Sequence, residues 1–344
     1  MIAIPNRDLS WTYDDFLIEP TPLSDVSHKD VDLSTRITSD HTLDCPIVMA
    51  PMETIAQACE HMNLYKKFGI LPWLHRYVSN IDQATMIRAQ QHHTPERFVE
   101  QKLYAIAVSS KPEDYTKRIE ACLEAAKGKP LIVKIDVANG SSVASLTAIQ
   151  NIKRLYPIGV YIFSGNVCSR EAAMLAIAHG ADGVMVGIGG GSACTTRTET
   201  GIGKGNAHAL YEIANYVRCH YPNIIICADG GFKKSADMVK ALVLGADLCM
   251  SGRLFQTGNK YYGMASQTAL ESVGRGDRDS FEGDTLHLPE RKYAEMVKDV
   301  GKTLGSIKSA LSYMGCRTIK ELHNSNDIRI NFITRAVQQE SLAR

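Results

Sequence analysis

The sequence has almost no excess of either charge: 38 lysines and arginines stand against 37 aspartates and glutamates. That balance leaves no electrostatic footprint for nucleic acid or a membrane surface. It also lacks the ~18 consecutive apolar residues that argue for a transmembrane helix. Its nine cysteines are odd in number, scattered, and include no Cys-x-x-Cys pair. A zinc ribbon is thereby excluded and a secreted disulfide framework disfavoured, so a reducing cytosol fits best. The opening residues, MIAIPNRDLSWTYDD, have no charged segment leading into an apolar run, and no signal peptide is expected. No low-complexity segment, charge run or repeat beyond a β/α alternation stands out.

What is present is material for a large core: 344 residues of which 44% are hydrophobic, enough for one large domain or two ordinary ones. After a polar arm over residues 1–45, short apolar runs alternate with longer helical stretches. The runs are Pro46–Met49, Ile70–Leu74, Leu103–Val108, Leu131–Ile135, Val160–Phe163, Gly183–Val186, Ile224–Cys227 and Asp247–Met250. They are undivided by polar alternation, as expected of parallel strands covered on both faces. Helices are predicted over Ile55–Phe68, Asn80–Gln91, Asp114–Ala126, Val143–Leu155, Arg170–His179, Ala207–His220 and Lys234–Leu244. Ser169 is placed to cap the fifth, and Gly180 to end it. Eight strands with intervening helices predict an α/β fold, a single-domain (β/α)8 TIM barrel. A doubly wound open sheet is the alternative.

In a barrel, chemistry belongs at the C-terminal ends of the strands. There the sequence reads Ala50-Pro-Met-Glu-Thr54, His75-Arg-Tyr77, Asp136-Val-Ala-Asn-Gly140, Ser164-Gly-Asn166, Asp229-Gly-Gly231 and Ser251-Gly-Arg253. The last two follow strands 7 and 8, where such barrels bind phosphate on backbone N–H groups. The densest feature is Val186–Gly205, VGIGGGSACTTRTETGIGKG, with seven glycines and a central cysteine, Cys194. Glycines let backbone curl tightly and approach a ligand. A thiolate there is a nucleophile, and Arg197 is close enough in sequence to favour its charge. A flexible surface loop with an incidental cysteine is the plainer reading. Residues 271–289 are too glycine-rich and charged for a helix and read as a flap or a solvated loop, with a C-terminal helix and tail over 290–344. Cys45, Cys122, Cys227 and Cys249 read as core residues, as do Trp11 and Trp73. His92-His93 reads as a solvated helix end, with no third metal ligand nearby.

GGGSACTTR resembles the catalytic loop of the GMP reductase and IMP dehydrogenase family, GPGSxCxT. Thr12-Tyr-Asp-Asp-Phe-Leu-Ile18, Val31-Asp-Leu-Ser-Thr35, Pro51-Met-Glu-Thr54, Gly165-Asn-Val167, Ala228-Asp-Gly-Gly231, Tyr262-Gly-Met264 and Glu282-Gly283 follow in the family's order. The form Asp136-Val-Ala-Asn-Gly140 and the Thr195-Thr196 pair are similar to the reductase branch. No regulatory domain is inserted between His75 and Asn80, and Val273–Phe281 lacks the dehydrogenase's Arg-Tyr dipeptide.

The resemblance implies NADPH-dependent reduction of GMP to IMP and ammonia. Cys194 would be the nucleophile, with Thr196 and Glu282 managing the proton. It implies purine-nucleotide contacts from Asp229, Gly230, Gly231, Gly252, Arg253, Gly263, Met264 and Gly283. Cofactor contacts are implied for Arg76, Asp136, Val137, Ala138, Ile188, Gly189, Ser309, Ser312 and Tyr313. It further implies K⁺ on carbonyls of Gly189, Gly191, Cys194 and Arg197, a cytoplasmic homotetramer, and a neighbour's arm at the cofactor. Departures stand at Gly190 for the usual proline, Arg253 for a phosphate-binding glycine, Ala265 for a serine, Glu290-Arg291 for a Lys-Gly, and in the short flap. They keep open an IMP dehydrogenase, a reductase of dGMP or a modified purine nucleotide, and an inactive nucleotide-binding regulator.

Overall fold

Alternate residues of the apolar runs enter two separate hydrophobic clusters. Val48, Trp73, Ala105, Ile132, Phe163, Met185, Cys227 and Met250 pack together in one. Their chain neighbours Ile47, Leu74, Ile106, Val133, Ile162, Val184, Ile226 and Cys249 pack in the other, against helices. Side chains of a strand alternate between its faces, so a sheet with an inner and an outer core has to close on itself.

The computed structural model, which describes residues 9–55, 59–92 and 103–342, shows that closure. The barrel strands are β1 (Ile47–Met49), β2 (Leu71–Leu74), β3 (Tyr104–Val108), β4 (Leu131–Asp136), β5 (Val160–Val167), β6 (Gly183–Val186), β7 (Ile225–Asp229) and β8 (Leu248–Ser251). Each pairs in parallel with the next, and β8 pairs with β1. A doubly wound open sheet is thereby excluded. The outer layer includes helices Cys59–Phe68, Asn80–His92, Pro112–Ala126, Val143–Leu155, Arg170–Ala178, Asn206–His220 and Ser235–Val243. Ser169 caps its helix by accepting from the Ala172 N–H at 3.2 Å, and Gly180 follows that helix at φ +104°.

Inside the barrel Trp73 meets Phe163 edge to face, ring centres 5.2 Å apart. Ile37 and Leu43, from a hairpin of the N-terminal arm, join this inner cluster at the strands' N-terminal ends and close that end. Cys45, Cys122, Cys227 and Cys249 are buried free thiols, and Trp11 is buried as well. The side chains of the His92-His93 pair lie outside the described residues.

Three expectations change. β5 continues four residues past Phe163, so Gly165 and Asn166 are strand, not loop. The 271–289 segment is only partly irregular: Thr285–Arg291 is a strand paired antiparallel with Gly258–Tyr262. The tail after 290 is a 21-residue helix, Tyr293–Tyr313, then helix Ile319–Asn324, strand Ile330–Phe332 and helix Arg335–Leu342. That last strand pairs with Phe16–Ile18 of the arm, so the two ends of the chain clasp each other.

Two histidines are held neutral inside this structure. Burial, then the Arg118 charge, pushes His75 down to about 4; burial, then Arg218, does the same to His323. The unfolded chain therefore binds more protons between ~6.5 and about 4, and stability is lost as pH falls through that window. The His323 Nε2–H group donates to the carbonyls of Leu242 and Ala246, both at 3.1 Å. Tm is expected to drop between pH 7 and pH 5, and His323→Asn is expected to flatten that slope. A melting temperature indifferent to pH in this range would contradict the account.

Candidate active site

The glycine-rich loop leaves β6 under tight steric limits. Gly187 has φ +136°, and a Cβ there would lie 2.5 Å from the Asp229 carbonyl oxygen. A side chain at Gly190 would collide with the carboxamide of Asn206, which is buried between this loop and Gly230. The Asn206 amide donates to the Gly230 carbonyl at 3.2 Å, and its Oδ1 accepts from Arg197 at 2.6 Å. The Arg197 guanidinium also donates to the carbonyls of Ile188, at 2.8 Å, and Lys204. This corrects the expectation that Arg197 serves the Cys194 charge directly: its donors hold the two ends of the loop.

Cys194 is half-buried, with Sγ 3.3 Å from the hydroxyl of Thr196, itself buried at the start of helix Thr196–Thr200. The segment 282–284 is joined to this point by backbone. Thr195 N–H donates to the Glu282 carbonyl at 3.1 Å, Asp284 N–H donates to Ala193 at 3.0 Å, and Gly283 bridges Cys194. The Glu282 side chain is thus delivered to the cavity that holds the thiol.

That cavity, about 290 Å³, opens at the C-terminal ends of the strands. It is lined by Cys194, Thr196, Glu282, Asp229, Gly230, Gly263 and Met264, and along another wall by Arg76, Asp136, Val137, Ala138, Ile188, Gly189 and Gly191. The other expected residues do not line it. Gly252 sits just behind: a Cβ there would lie 2.6 Å from both Met52 Sδ and Tyr261 Oη, which belong to side chains of the lining. Gly231 and Gly283 likewise pack behind the wall, against Asn206 and Ala193. Arg253 stacks over the Tyr261 ring at 5.9 Å and donates to Gln256. Ser309, Ser312 and Tyr313 end the long helix beside the arm, where Ser24 Oγ donates to the Ser312 carbonyl at 2.5 Å.

Lys134 lines the cavity without having been singled out from sequence, whereas Asn166 belongs to the expected Ser164-Gly-Asn166 segment. Lys134 lies buried below the mouth, its Nζ 3.1 Å from Asp136 and 3.4 Å from Asp229. Asn166 donates to Asp229 Oδ2 at 2.8 Å and to the Gly187 carbonyl at 2.7 Å. Burial pushes the Asp136 carboxyl up, but Lys134 and Arg76 more than offset it and hold it below the ordinary carboxylate value. The readable signal for Lys134 was a charge inside an apolar run, two residues before an aspartate and so on the same strand face.

A thiol, a hydroxyl and a carboxylate thus converge where a strand-end aspartate faces a small-residue wall. The sequence model of the IMP dehydrogenase / GMP reductase domain matches residues 10–344. The chain belongs to this family. A GMP reductase of Onchocerca volvulus is 32% identical, over 90% of this chain and 88% of that protein. A GMP reductase of Yersinia enterocolitica is 30% identical, over 96% and 95%. An inosine-5′-monophosphate dehydrogenase of Borreliella burgdorferi is 28% identical, over 93% and 94%. The family comprises oxidoreductases that act on purine nucleoside monophosphates. Identities this similar fix the family and leave the choice between its two reactions to the site.

Gly190 provides a test of the loop's construction. Gly190→Pro is expected to lose most activity, because the ring meets the Asn206 amide. Gly190→Pro with Asn206→Ala is expected to recover part of the loss, a coupling that a double-mutant cycle measures. Strict additivity would count against the contact.

Proposed function

We propose that the chain is a GMP reductase, converting GMP to IMP and ammonia with NADPH through a thioimidate on Cys194. The observation that carries this reading is the convergence of the Cys194 thiol, the Thr196 hydroxyl 3.3 Å away and Glu282 in one cavity. Purine C2 is an amidine carbon, open to attack by sulfur. As the Cys194 S–C2 bond forms, the C2–N bond breaks and the amino group leaves as ammonia. Thr196 and Glu282 handle the protons of the thiol and the leaving group, a general acid–base role. A nicotinamide cofactor, when bound, would supply the hydride that replaces sulfur at C2. The Cys194 thiolate is then the leaving group and regains its proton.

The residues present suit such a cofactor. Arg76 Nε is buried without a hydrogen bond of its own, although it lies 3.4 Å from an Asp136 oxygen. Val137, Ala138, Ile188 and Gly189 offer a small, largely apolar wall beside the thiol. Asp229 is placed to accept from the ribose hydroxyls, with Gly230 and the backbone behind it for the phosphate. Arg253, stacked on Tyr261, adds a fixed positive charge at that end of the cavity. For K⁺, the carbonyls of Gly191 and Arg197 each use one lone pair, on Cys194 N–H and Gly201 N–H. A second lone pair on each remains, and neutral oxygens in a tight loop suit a hard monovalent cation.

Ser309, Ser312 and Tyr313 stand beside the arm, away from the lining of their own chain's cavity, and Tyr313 is 67% exposed. In a homotetramer this surface serves a neighbour's cofactor. Full activity from a monomer, established by light scattering at assay concentration, would refute a shared site.

IMP dehydrogenase is the second reading, supported by the Borreliella burgdorferi relative. Against it, residues 273–281 offer no Arg-Tyr dipeptide to activate a hydrolytic water. The deciding assay follows NADPH absorbance and ammonia with GMP, dGMP and 2-substituted purine nucleotides, in K⁺ and in an organic cation. GMP-dependent oxidation of NADPH is expected, severalfold faster with K⁺, and abolished in Cys194→Ala. In the same assay Arg253→Gly is expected to raise KM while sparing kcat, the pattern of lost uniform binding. NAD⁺ reduction on IMP without GMP turnover would transfer the chain to the dehydrogenase reading. Tight GMP binding with no turnover would make it a regulator.

A further inference from the structure

On β4 the inward-facing residues run Ile132, Lys134, Asp136 from the bottom of the barrel to its mouth. Ile132 belongs to the inner apolar cluster and Asp136 lines the cavity. Lys134, between them, has a side chain only 4% exposed. An isolated ammonium is costly to bury and persists only where partners compensate it. Here there are two, on opposite sides of the mouth: Asp136 Oδ1 at 3.1 Å on the same strand, and Asp229 Oδ2 at 3.4 Å on β7. Arg76, from the end of β2, reaches the other Asp136 oxygen at 3.4 Å. Burial alone pulls the Lys134 ammonium down, but Asp229 and then Asp136 raise it above the ordinary lysine value, so it remains charged.

The consequence lies at Asp229. Its Oδ2 takes both Lys134 and the Asn166 amide, the latter at 2.8 Å. Asn166 is itself fixed by the Gly187 carbonyl at 2.7 Å. With two donors on one oxygen, rotation of the carboxylate is prevented and the other edge, Oδ1, is left to a ligand in the cavity. A vicinal diol needs such an arrangement: one acceptor oxygen held still, at a defined height on the wall.

We infer that Lys134 is a positioning residue for the nucleotide's ribose, locking Asp229 so that its outer edge reads the diol and tying it through Asp136 to Arg76 on the opposite wall. The inference rests on the purine-nucleotide reading of the cavity and extends it to a buried lysine beneath the cavity's mouth. Lys134 does no proton transfer in this role; its charge orients two carboxylates, 3.1 and 3.4 Å from its Nζ.

The test compares binding of GMP and of 2′,3′-dideoxy-GMP, which lacks the diol, by calorimetry on the wild-type chain, Lys134→Met and Lys134→Gln. Wild type is expected to favour GMP by ~10-fold or more, the scale of one or two hydrogen bonds to a charged group. Lys134→Met is expected to weaken GMP about tenfold and to leave the dideoxy compound nearly unchanged, so that the preference collapses. Lys134→Gln, which keeps a donor, is expected to fall between, and it carries the same comparison should the methionine variant not fold. Equal weakening of both nucleotides, or an unchanged preference, would overturn the positioning role. Failure of the wild-type chain to bind either nucleotide would instead remove the nucleotide reading beneath it.

Discussion

The arrangement of the site depends on one guanidinium. Arg197 donates to the carbonyls of Ile188 and Lys204 and to Asn206 Oδ1, and so fixes both ends of the loop that carries Cys194. Without such a clamp the loop's composition would work against it. Four of the five residues from Gly187 to Gly191 are glycine, each forfeiting ~0.5–1 kcal/mol against alanine in chain entropy, or roughly 2–4 kcal/mol together. Hydrogen bonds from a charged group contribute ~1.5–3 kcal/mol each, so three of them outweigh that loss. The planar fork matters as much as the charge, since a lysine ammonium could not address three acceptors in fixed directions.

How much of this was legible in the sequence follows from where each signal resides. The eight strands could be read because both of their faces are buried, which writes them as short apolar runs with helices between. Cys194, Asp229 and Glu282 could be read because they sit in motifs whose order is shared over the chain. Lys134 was obscured by the same rule that revealed its strand: in a run read for apolar continuity, one inward charge passes as noise. Asn166 was assigned to a loop because β5 outlasts its apolar segment, the polar residues after Phe163 still keeping strand pairing. The pairing of Phe16–Ile18 with Ile330–Phe332 joins residues more than three hundred positions apart through three-residue strands. Neither strand is long enough to display a period. The destination of the Arg197 side chain had no sequence signal at all, because spacing from Cys194 says nothing of which carbonyls the loop turns inward.

The departures from the family pattern also make physical sense once their neighbours are known. A proline at position 190 would meet Asn206, so the glycine and the buried asparagine form a matched pair. Their carboxamide joins Gly230 and Arg197, the work of a rigid residue being done by a hydrogen-bonded one. The altered flap is insulated in another way. Glu282 is positioned by backbone bonds between 282–284 and 193–195, and these do not depend on side chains in the 273–281 stretch. Sequence there can vary in length and charge without displacing the carboxylate.

The same seam ties the cysteine loop to the segment that carries Glu282. Thr195 and Ala193 flank Cys194 and bond directly to Glu282 and Asp284, so the cysteine loop and the 282–284 segment share one backbone seam. Below it the Lys134 network holds Asp229 and Asp136 through contacts between strands of the barrel. One side of the cavity is thus built into strands of the barrel, and Cys194 and Glu282 into segments joined to each other by backbone.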